Sequence, residues 1–148
     1  MIATKYTNRY KELKECKIAL SILQTQIEYT MKPIPEIFKD IAKKIKPPIS
    51  KLFQNAAKHM ENQNAQTAWE QSLEEVGTNL KKEDKNIMKD LGNLLGKTDI
   101  EGQIKEITLV NQFLDTQIQE AILEKNKNEK LYKTLGVVTG LTLVIILL

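Results

Sequence analysis

Apolar side chains recur along the chain at spacings of three and four residues, which is the period of an α-helix. The clearest case is a seam within a first helix predicted over 4–31, formed by Leu13, Cys16, Leu20, Leu23 and Ile27. No stretch alternates apolar and polar residues as a half-buried strand would. The pattern therefore predicts an all-α protein, an antiparallel bundle of about six helices.

Five breaks rich in proline, glycine or amide side chains divide this pattern into helical segments. They lie at Lys32–Pro35, Lys46–Pro48, Glu61–Gln66, Gly77–Asn79 and Gly96–Thr98. After the first helix we therefore predict helices that begin near residues 35 and 49, two more over 68–76 and 83–95, and a long last helix from about residue 99.

Two sequences have the spacing of a capping box, in which a threonine accepts a backbone N–H and a glutamate three residues later reaches back to the threonine. Thr67 and Glu70 predict the start of the fourth helix. Thr98 and Glu101 predict the start of the last one.

The stretch Gly92–Thr98, GNLLGKT, is similar to a phosphate-binding loop in composition but not in spacing. It has three residues before Gly-Lys-Thr where that loop needs four, and a helix rather than a strand precedes it. We therefore interpret Gly96 as a helix C-cap and Gly92 as a point where the last helix packs closely against the fifth. Asp99 and Gln103 are interpreted as parts of the cap and first turn of the last helix.

The last helix leads into a tail, Leu135–Leu148, that has no charged residue. Because no proline or glycine interrupts Gln103–Leu135, helix and tail form one rod of about 75 Å, whose end must project from a small domain. A full membrane span needs about 20 apolar residues, so the tail alone is too short. Counted from Leu131 the run has 18 residues and includes Lys133, whose amine can reach the head groups, while Tyr132 suits the interface. Membrane insertion is favoured over the alternative, a buried core helix.

The predicted organisation is thus a cytosolic helical bundle over 1–133 and a C-terminal membrane anchor over 134–148. Within the anchor, Gly136 and Gly140 form a G-x-x-x-G pair, which lets another membrane helix approach closely. Four lysines just before the anchor, at positions 125, 127, 130 and 133, outnumber two glutamates. Because excess lysine beside a span marks the cytoplasmic side, we expect the bundle in the cytosol.

The chain has 148 residues, of which 41% are hydrophobic and 28% charged, and this composition suits one folded domain. The net charge of +3 is too small to indicate nucleic-acid binding. The charge is uneven, however: Lys32–Lys58 holds seven lysines and two acidic residues, whereas Glu61–Val76 holds four glutamates and no base. These segments are either ordinary solvated faces or one basic and one acidic contact surface.

No arrangement of residues indicates catalysis. Cys16 lies in the apolar seam, so we interpret it as a small buried hydrophobe rather than a nucleophile. His59 is the single histidine, which gives little support to a metal site. We therefore predict a protein that is not an enzyme and that needs no metal, other cofactor or small-molecule substrate.

Four blocks of the sequence together resemble the stage III sporulation protein AB family of endospore-forming bacteria. They are Leu23–Phe38 (LQTQIEYTMKPIPEIF), Trp69, Leu91–Lys105 (LGNLLGKTDIEGQIK) and Lys130–Leu141 (KLYKTLGVVTGL). The blocks keep the order and spacing of that family over nearly the whole chain, and Leu91–Gln103 is the most specific of them.

The resemblance implies a scaffold without enzymatic activity in the channel complex that connects mother cell and forespore. The soluble domain of the family is similar to the F domain of the type II secretion platform protein. By that analogy the protein links a cytosolic secretion-type ATPase to other membrane proteins of the channel. It is expected in the mother-cell membrane, which is the outer forespore membrane, with its soluble domain in the mother-cell cytoplasm.

The candidate surface for the ATPase is the cluster Lys39, Lys43, Lys44 and Lys46. The tail is expected to contact lipid, and no nucleic acid is expected as a partner. The family usually begins with a hydrophobic segment where this chain begins MIATKYTNRYKELK. Either that segment was removed or the tail alone is the anchor.

Two other functions use the same features. A membrane-anchored helical adaptor unrelated to sporulation would need the same bundle and tail. A small pore-forming protein would also carry amphipathic helices and an apolar tail, but the caps and prolines favour a stable folded bundle instead.

Overall fold

The computed structural model describes residues 2–97 and 99–147, without the side chains of residues 2, 3, 132, 138–144, 146 and 147. Within these residues the chain forms six α-helices and no strand. They are α1 (Ile2–Tyr29), α2 (Ile34–Lys44), α3 (Ile49–His59), α4 (Ala65–Glu75), α5 (Lys82–Leu95) and α6 (Ile100–Leu147). The predicted all-α bundle with a long C-terminal helix is confirmed.

The two longest helices, α1 and α6, pack side by side in opposite directions. Arg9 near the start of α1 contacts Glu124, and Lys17 further along α1 contacts Asp115. The predicted seam of α1 is buried, since Leu13, Cys16, Leu20 and Leu23 have no exposed surface and Ile27 keeps 6%. The core side of α6 is formed by Ile107, Val110, Leu114 and Ala121.

The shorter helices complete the core around three aromatic rings. Phe38 of α2, Phe53 of α3 and Trp69 of α4 have ring centroids 5.0 to 5.6 Å apart, mostly in edge-on geometry. Trp69 donates its indole N–H to the Met88 carbonyl oxygen at 2.7 Å, which joins α4 to α5. Burying these rings gives the small helices the apolar contact that each would lack alone.

The predicted start of α4 is wrong by three residues. Asn64 is the N-cap residue, and its side-chain oxygen accepts the backbone N–H of Thr67 at 2.8 Å. Thr67 therefore lies in the first turn and does not form a capping box with Glu70. An asparagine can cap a helix as well as a threonine can, and here it stands one turn earlier.

The far end of α6 projects from the bundle, as predicted. From Glu129 onward every described side chain is exposed, including Leu131 at 53%, Val137 at 62% and Ile145 at 72%. The helix is continuous across residues 133 and 134, where we predicted the boundary between bundle and anchor. Across the described residues, no helix contains a stretch long and apolar enough to cross a bilayer. The membrane anchor over 134–148 stays a prediction, and most of its side chains lie outside the described residues.

Candidate functional site

A buried ion pair lies where α1, α5 and α6 meet. Arg9 donates from Nε to Asp84 Oδ2 at 2.8 Å and from Nη2 to Asp84 Oδ1 at 3.0 Å. The Arg9 side chain is 2% exposed and that of Asp84 is fully buried. This two-point geometry is the strongest form of an arginine–carboxylate contact and fixes both side chains.

Asp84 accepts further hydrogen bonds from two other elements. The amide of Gln117 on α6 donates to Asp84 Oδ1 at 2.7 Å, and the backbone N–H of Lys81 donates to Oδ2 at 2.8 Å. Burial alone would raise the pKa of the Asp84 carboxyl, but the donors from Arg9 and Gln117 outweigh it and hold that pKa below its usual value. Asp84 is therefore ionised and fully bonded within the core.

Two glutamates of α6 close the network on its outer side. Glu120 and Glu124 lie 3.4 and 3.2 Å from Arg9 Nη1. Both also contact Lys81 Nζ, which is 3.1 Å from Glu120. We call this network the ionic clamp; its members are Arg9, Lys81, Asp84, Gln117, Glu120 and Glu124. Because it grips α6 over two turns just before the projecting part, it fixes the rotation of that helix about its axis.

A second buried carboxylate fixes the loop before α5. Glu12 is 4% exposed, and its two oxygens accept the backbone N–H of Asn79 at 2.7 Å and the Asn79 amide at 2.8 Å. Sequence reasoning missed both this contact and the clamp. A signal was present, since Arg9 stands four residues before Leu13 and so continues the buried seam of α1 with a charged residue.

The break predicted to begin at Gly96 joins α5 to α6. Gly96 is the C-cap of α5, as predicted. Asp99 caps α6 by accepting the backbone N–H of Gly102 at 2.8 Å, and an added Cβ at residue 102 would lie only 2.9 Å from the Asp99 oxygens. Gln103 donates its amide to the Lys97 carbonyl at 3.0 Å. The interpretation of Asp99 and Gln103 as cap and first turn agrees with these contacts.

The other candidate residues of the block Leu91–Lys105 are Gly92, Thr98 and Glu101. Gly92 does not face α6: a Cβ there would lie 3.2 Å from Gln66 Cγ, so the close approach is to α4. The Glu101 side chain is exposed. Thr98 lies outside the described residues, so the capping box that it was predicted to form with Glu101 stays a prediction.

The predicted lysine cluster, on α2 and the turn after it, is exposed, and two of its members line different clefts. Lys39 lines a cleft with residues of α3 and α4. Lys46 lines a different one with Tyr10 and Lys14 of α1. Lys43 lies close enough to Asp40 to help lower the pKa of that carboxyl, although the main cause is the hydrogen bond from Lys32. A contact with the ATPase through Lys39, Lys43, Lys44 and Lys46 stays a prediction.

The cleft beside Lys39 brings together the basic and acidic segments seen in the sequence. It has a volume of about 680 Å³, and we call it the lysine cleft. Its charged lining residues are Lys39, Lys51, Lys58, Glu61 and Glu75. The Glu75 carboxylate accepts from Asn55 at 2.8 Å and from Gln71 at 2.7 Å, and it lies 2.8 Å from His59 Nε2. These groups lower the pKa of Glu75 to about 2.

Neither Cys16 nor His59 has the surroundings of a catalytic group. Cys16 is fully buried in α1, and burial raises the pKa of its thiol, which disfavours the nucleophilic thiolate. His59 contacts Glu75 rather than Cys16. Among the described residues, no group of three or more metal-binding side chains is placed to hold an ion. The absence of enzymatic activity and of cofactors stays a prediction.

Gly136 lies on the projecting part of α6. Its surface is exposed, and a Cβ added there would meet nothing within 4 Å. The surroundings of Gly140 lie outside the described residues. The predicted helix–helix contact through this glycine pair is therefore untested, but a larger side chain at Gly136 has room within the protein itself.

These features define an all-α bundle protein whose last helix is clamped by buried charges and then projects. A family model for stage III sporulation protein AB matches residues 1–148. A curated relative, stage III sporulation protein AB from Bacillus subtilis (strain 168), is 34% identical over 151 residues, covering 99% of this chain and 88% of its own. A solved structure titled stage III sporulation protein AB has a TM-score of 0.74 at 28% identity, covering 81% of this chain and 98% of that one. The chain belongs to the stage III sporulation protein AB family, which confirms the resemblance found in its sequence.

Removing the buried carboxylate should destabilise the bundle strongly. In Asp84→Asn the buried Arg9 guanidinium loses its two-point partner and keeps only the contacts of Nη1 with Glu120 and Glu124, so we expect the free energy of unfolding to fall by about 3 kcal/mol. The matched control is Asp115→Asn, which breaks the exposed pair with Lys17 and should cost less than about 1 kcal/mol. Urea unfolding of both variants measures the difference, and equal losses would show that the clamp contributes no more than a surface pair.

Proposed function

We propose that the protein is a scaffold without enzymatic activity in the channel complex between mother cell and forespore, linking a cytosolic secretion-type ATPase to membrane proteins of that complex. Membership of the stage III sporulation protein AB family supports a role in sporulation. The observation that carries the finer proposal is the continuity of α6, which belongs to the bundle core at Ile107 and is exposed at Val137.

A continuous helix can link two partners because its rigid backbone holds its two ends in a fixed relative position. The 48 residues of α6 extend over about 72 Å. Its first half is fixed by core packing and by the ionic clamp, and its second half carries the uncharged run Leu135–Leu148. A partner bound to the bundle and a partner bound to the tail would therefore be held in a defined relative orientation.

The sequence beside the tail supports a location and an orientation. Lysines at positions 125, 127, 130 and 133 precede the uncharged run. Lysine-rich flanks remain on the cytoplasmic side of a membrane, and their long side chains reach the head groups. The proposal therefore places the tail in the mother-cell membrane, the outer forespore membrane, with the bundle in the mother-cell cytoplasm.

The first test is binding of the sporulation ATPase to the full chain in phosphatidylcholine nanodiscs, with and without ATP. We expect saturable binding that weakens as salt is added, because the candidate surface on α2 is rich in lysine. Reversing its charges with Lys43→Glu and Lys44→Glu should weaken binding and reduce its salt dependence. The matched control, Lys82→Glu with Lys89→Glu on α5, should bind like the wild type.

The outcomes of this test separate the parts of the proposal. Absence of ATPase binding, with the helical content of the protein intact by circular dichroism, would contradict the link to the ATPase. Binding with an unchanged salt dependence in the Lys43→Glu, Lys44→Glu variant would show that these lysines are only a solvated face.

The second test concerns the glycine pair of the tail. Replacing Gly136 and Gly140 by isoleucine should weaken assembly with the membrane proteins of the channel, because larger side chains keep membrane helices apart. Assembly is measured by co-purification from sporulating cells. Thermal unfolding of the bundle should not change, since Gly136 lies on the exposed part of α6. The control is Val137→Ile; normal co-purification of the double variant would contradict the contact.

A further inference from the structure

The lysine cleft combines three free cations with a fixed anion. Lys39 comes from α2, and Lys51 and Lys58 come from α3. Across the part of the chain that the structure describes, none of these three has a carboxylate oxygen within 4.0 Å, although six other Arg, Lys or His side chains do. Three lysines that converge on one cleft without internal partners leave their charge available to a ligand.

The anion of the cleft is held in place by its neighbours. Glu75 contacts three side chains, Asn55, His59 and Gln71, each at 2.7 to 2.8 Å. These three contacts favour one orientation of the Glu75 carboxylate. In the described part of the chain its only contact with a basic side chain within 4.0 Å is to His59, so it does not pair directly with the three lysines. Glu61 adds a second negative charge to the lining.

This arrangement discriminates between classes of anionic ligand. A membrane surface or a nucleic acid presents phosphates at regular intervals, and a fixed carboxylate among the lysines repels them. A polypeptide can place carboxylates on the lysines and turn an amide N–H or a neutral polar side chain towards Glu75. We infer that the lysine cleft is a docking site for an acidic peptide segment of a protein partner.

The inference rests on the proposed function in one respect only: the lysine cleft would extend the contact of the cytosolic partner from the lysines of α2 to Lys51 and Lys58 of α3. Lys43 already lies near Asp40, so its positive charge is less available to an anionic ligand. Lys39 is the residue that the sequence cluster and the cleft share.

The test uses the full chain in phosphatidylcholine nanodiscs and a short fluorescein-labelled peptide that alternates Glu and Gln. We expect the peptide to bind, as followed by fluorescence anisotropy, and Lys51→Glu with Lys58→Glu to weaken it by roughly tenfold or more and reduce its salt dependence. Both side chains are exposed, so the variant should keep the wild-type unfolding curve. The control with the same charge change, Lys82→Glu with Lys89→Glu, should bind the peptide as the wild type does.

Polyphosphate of matched charge tests the role of Glu75. The wild type should prefer the peptide over polyphosphate, and Glu75→Gln should reduce that preference by roughly threefold or more, because the substitution removes the repulsion of phosphate. Equal affinity of the wild type for both ligands, or equal loss of peptide binding in the Lys51/Lys58 variant and its control, would overturn the inference. A wild type that does not bind the peptide would also overturn it.

Binding of the purified ATPase to the same variants separates this inference from the proposed function. If the peptide binds in the cleft but the ATPase does not bind at all, the cleft stands and the proposed ATPase link fails. If the ATPase binds and the Lys51/Lys58 variant does not weaken it, the link stands and the cleft is not its docking site.

Discussion

The buried ion pair between Arg9 and Asp84 is the interaction on which the arrangement of the long helices depends. Charges removed from water are costly unless each is fully paired, so the geometry around this pair tolerates little displacement. Arg9 belongs to α1, Asp84 to α5, and Gln117 of α6 completes the donors around the carboxylate. The direction in which α6 leaves the bundle is therefore set by one buried carboxylate of α5 that is bonded to side chains of α1 and α6. Apolar packing alone would allow those helices to slide or rotate at lower cost.

The ionic clamp allows α6 both to form part of the core and to project from the bundle in a fixed orientation. Through Ile107, Val110 and Leu114 the helix is a wall of the core, and beyond Glu129 its described side chains are all exposed. A helix held only by its apolar face could rotate as its free end is pulled. The polar contacts of Gln117, Glu120 and Glu124 oppose that rotation near the end of the buried part of α6. Away from these contacts, α2 packs chiefly on α3, and residues of α2, α3 and α4 line the lysine cleft.

The periodic apolar pattern predicted the helices well, because burial of Leu13 or Trp69 follows directly from local spacing. The projecting end of α6 could also be predicted from the sequence, because the helix is longer than a small core can cover. The start of α4 could not be predicted from the sequence, because Asn64 and Thr67 are both good N-cap residues and only tertiary packing decides which of them caps the helix.

The clamp and the cleft were missed for a different reason. Arg9 meets Asp84 across 75 positions of sequence, and Glu75 of α4 lines one cleft with lysines of α2 and α3. A local pattern can indicate that Arg9 is buried, but it does not indicate which distant residue lies beside it. Gly92 shows the same limit: its need for space was predicted, but not the neighbour that fills it.

A linking role requires that α6 form one rigid unit with the bundle up to the start of the uncharged run. The most direct measurement is the distance distribution between spin labels at Lys89→Cys on α5 and Lys130→Cys on the projecting part of α6, in the full chain in nanodiscs. Cys16 is fully buried, so it should remain unlabelled. We expect a single narrow distribution, which broadens when Asp84 is replaced by asparagine. A broad distribution in the otherwise native chain would show that α6 bends freely beyond the clamp, and would contradict the account.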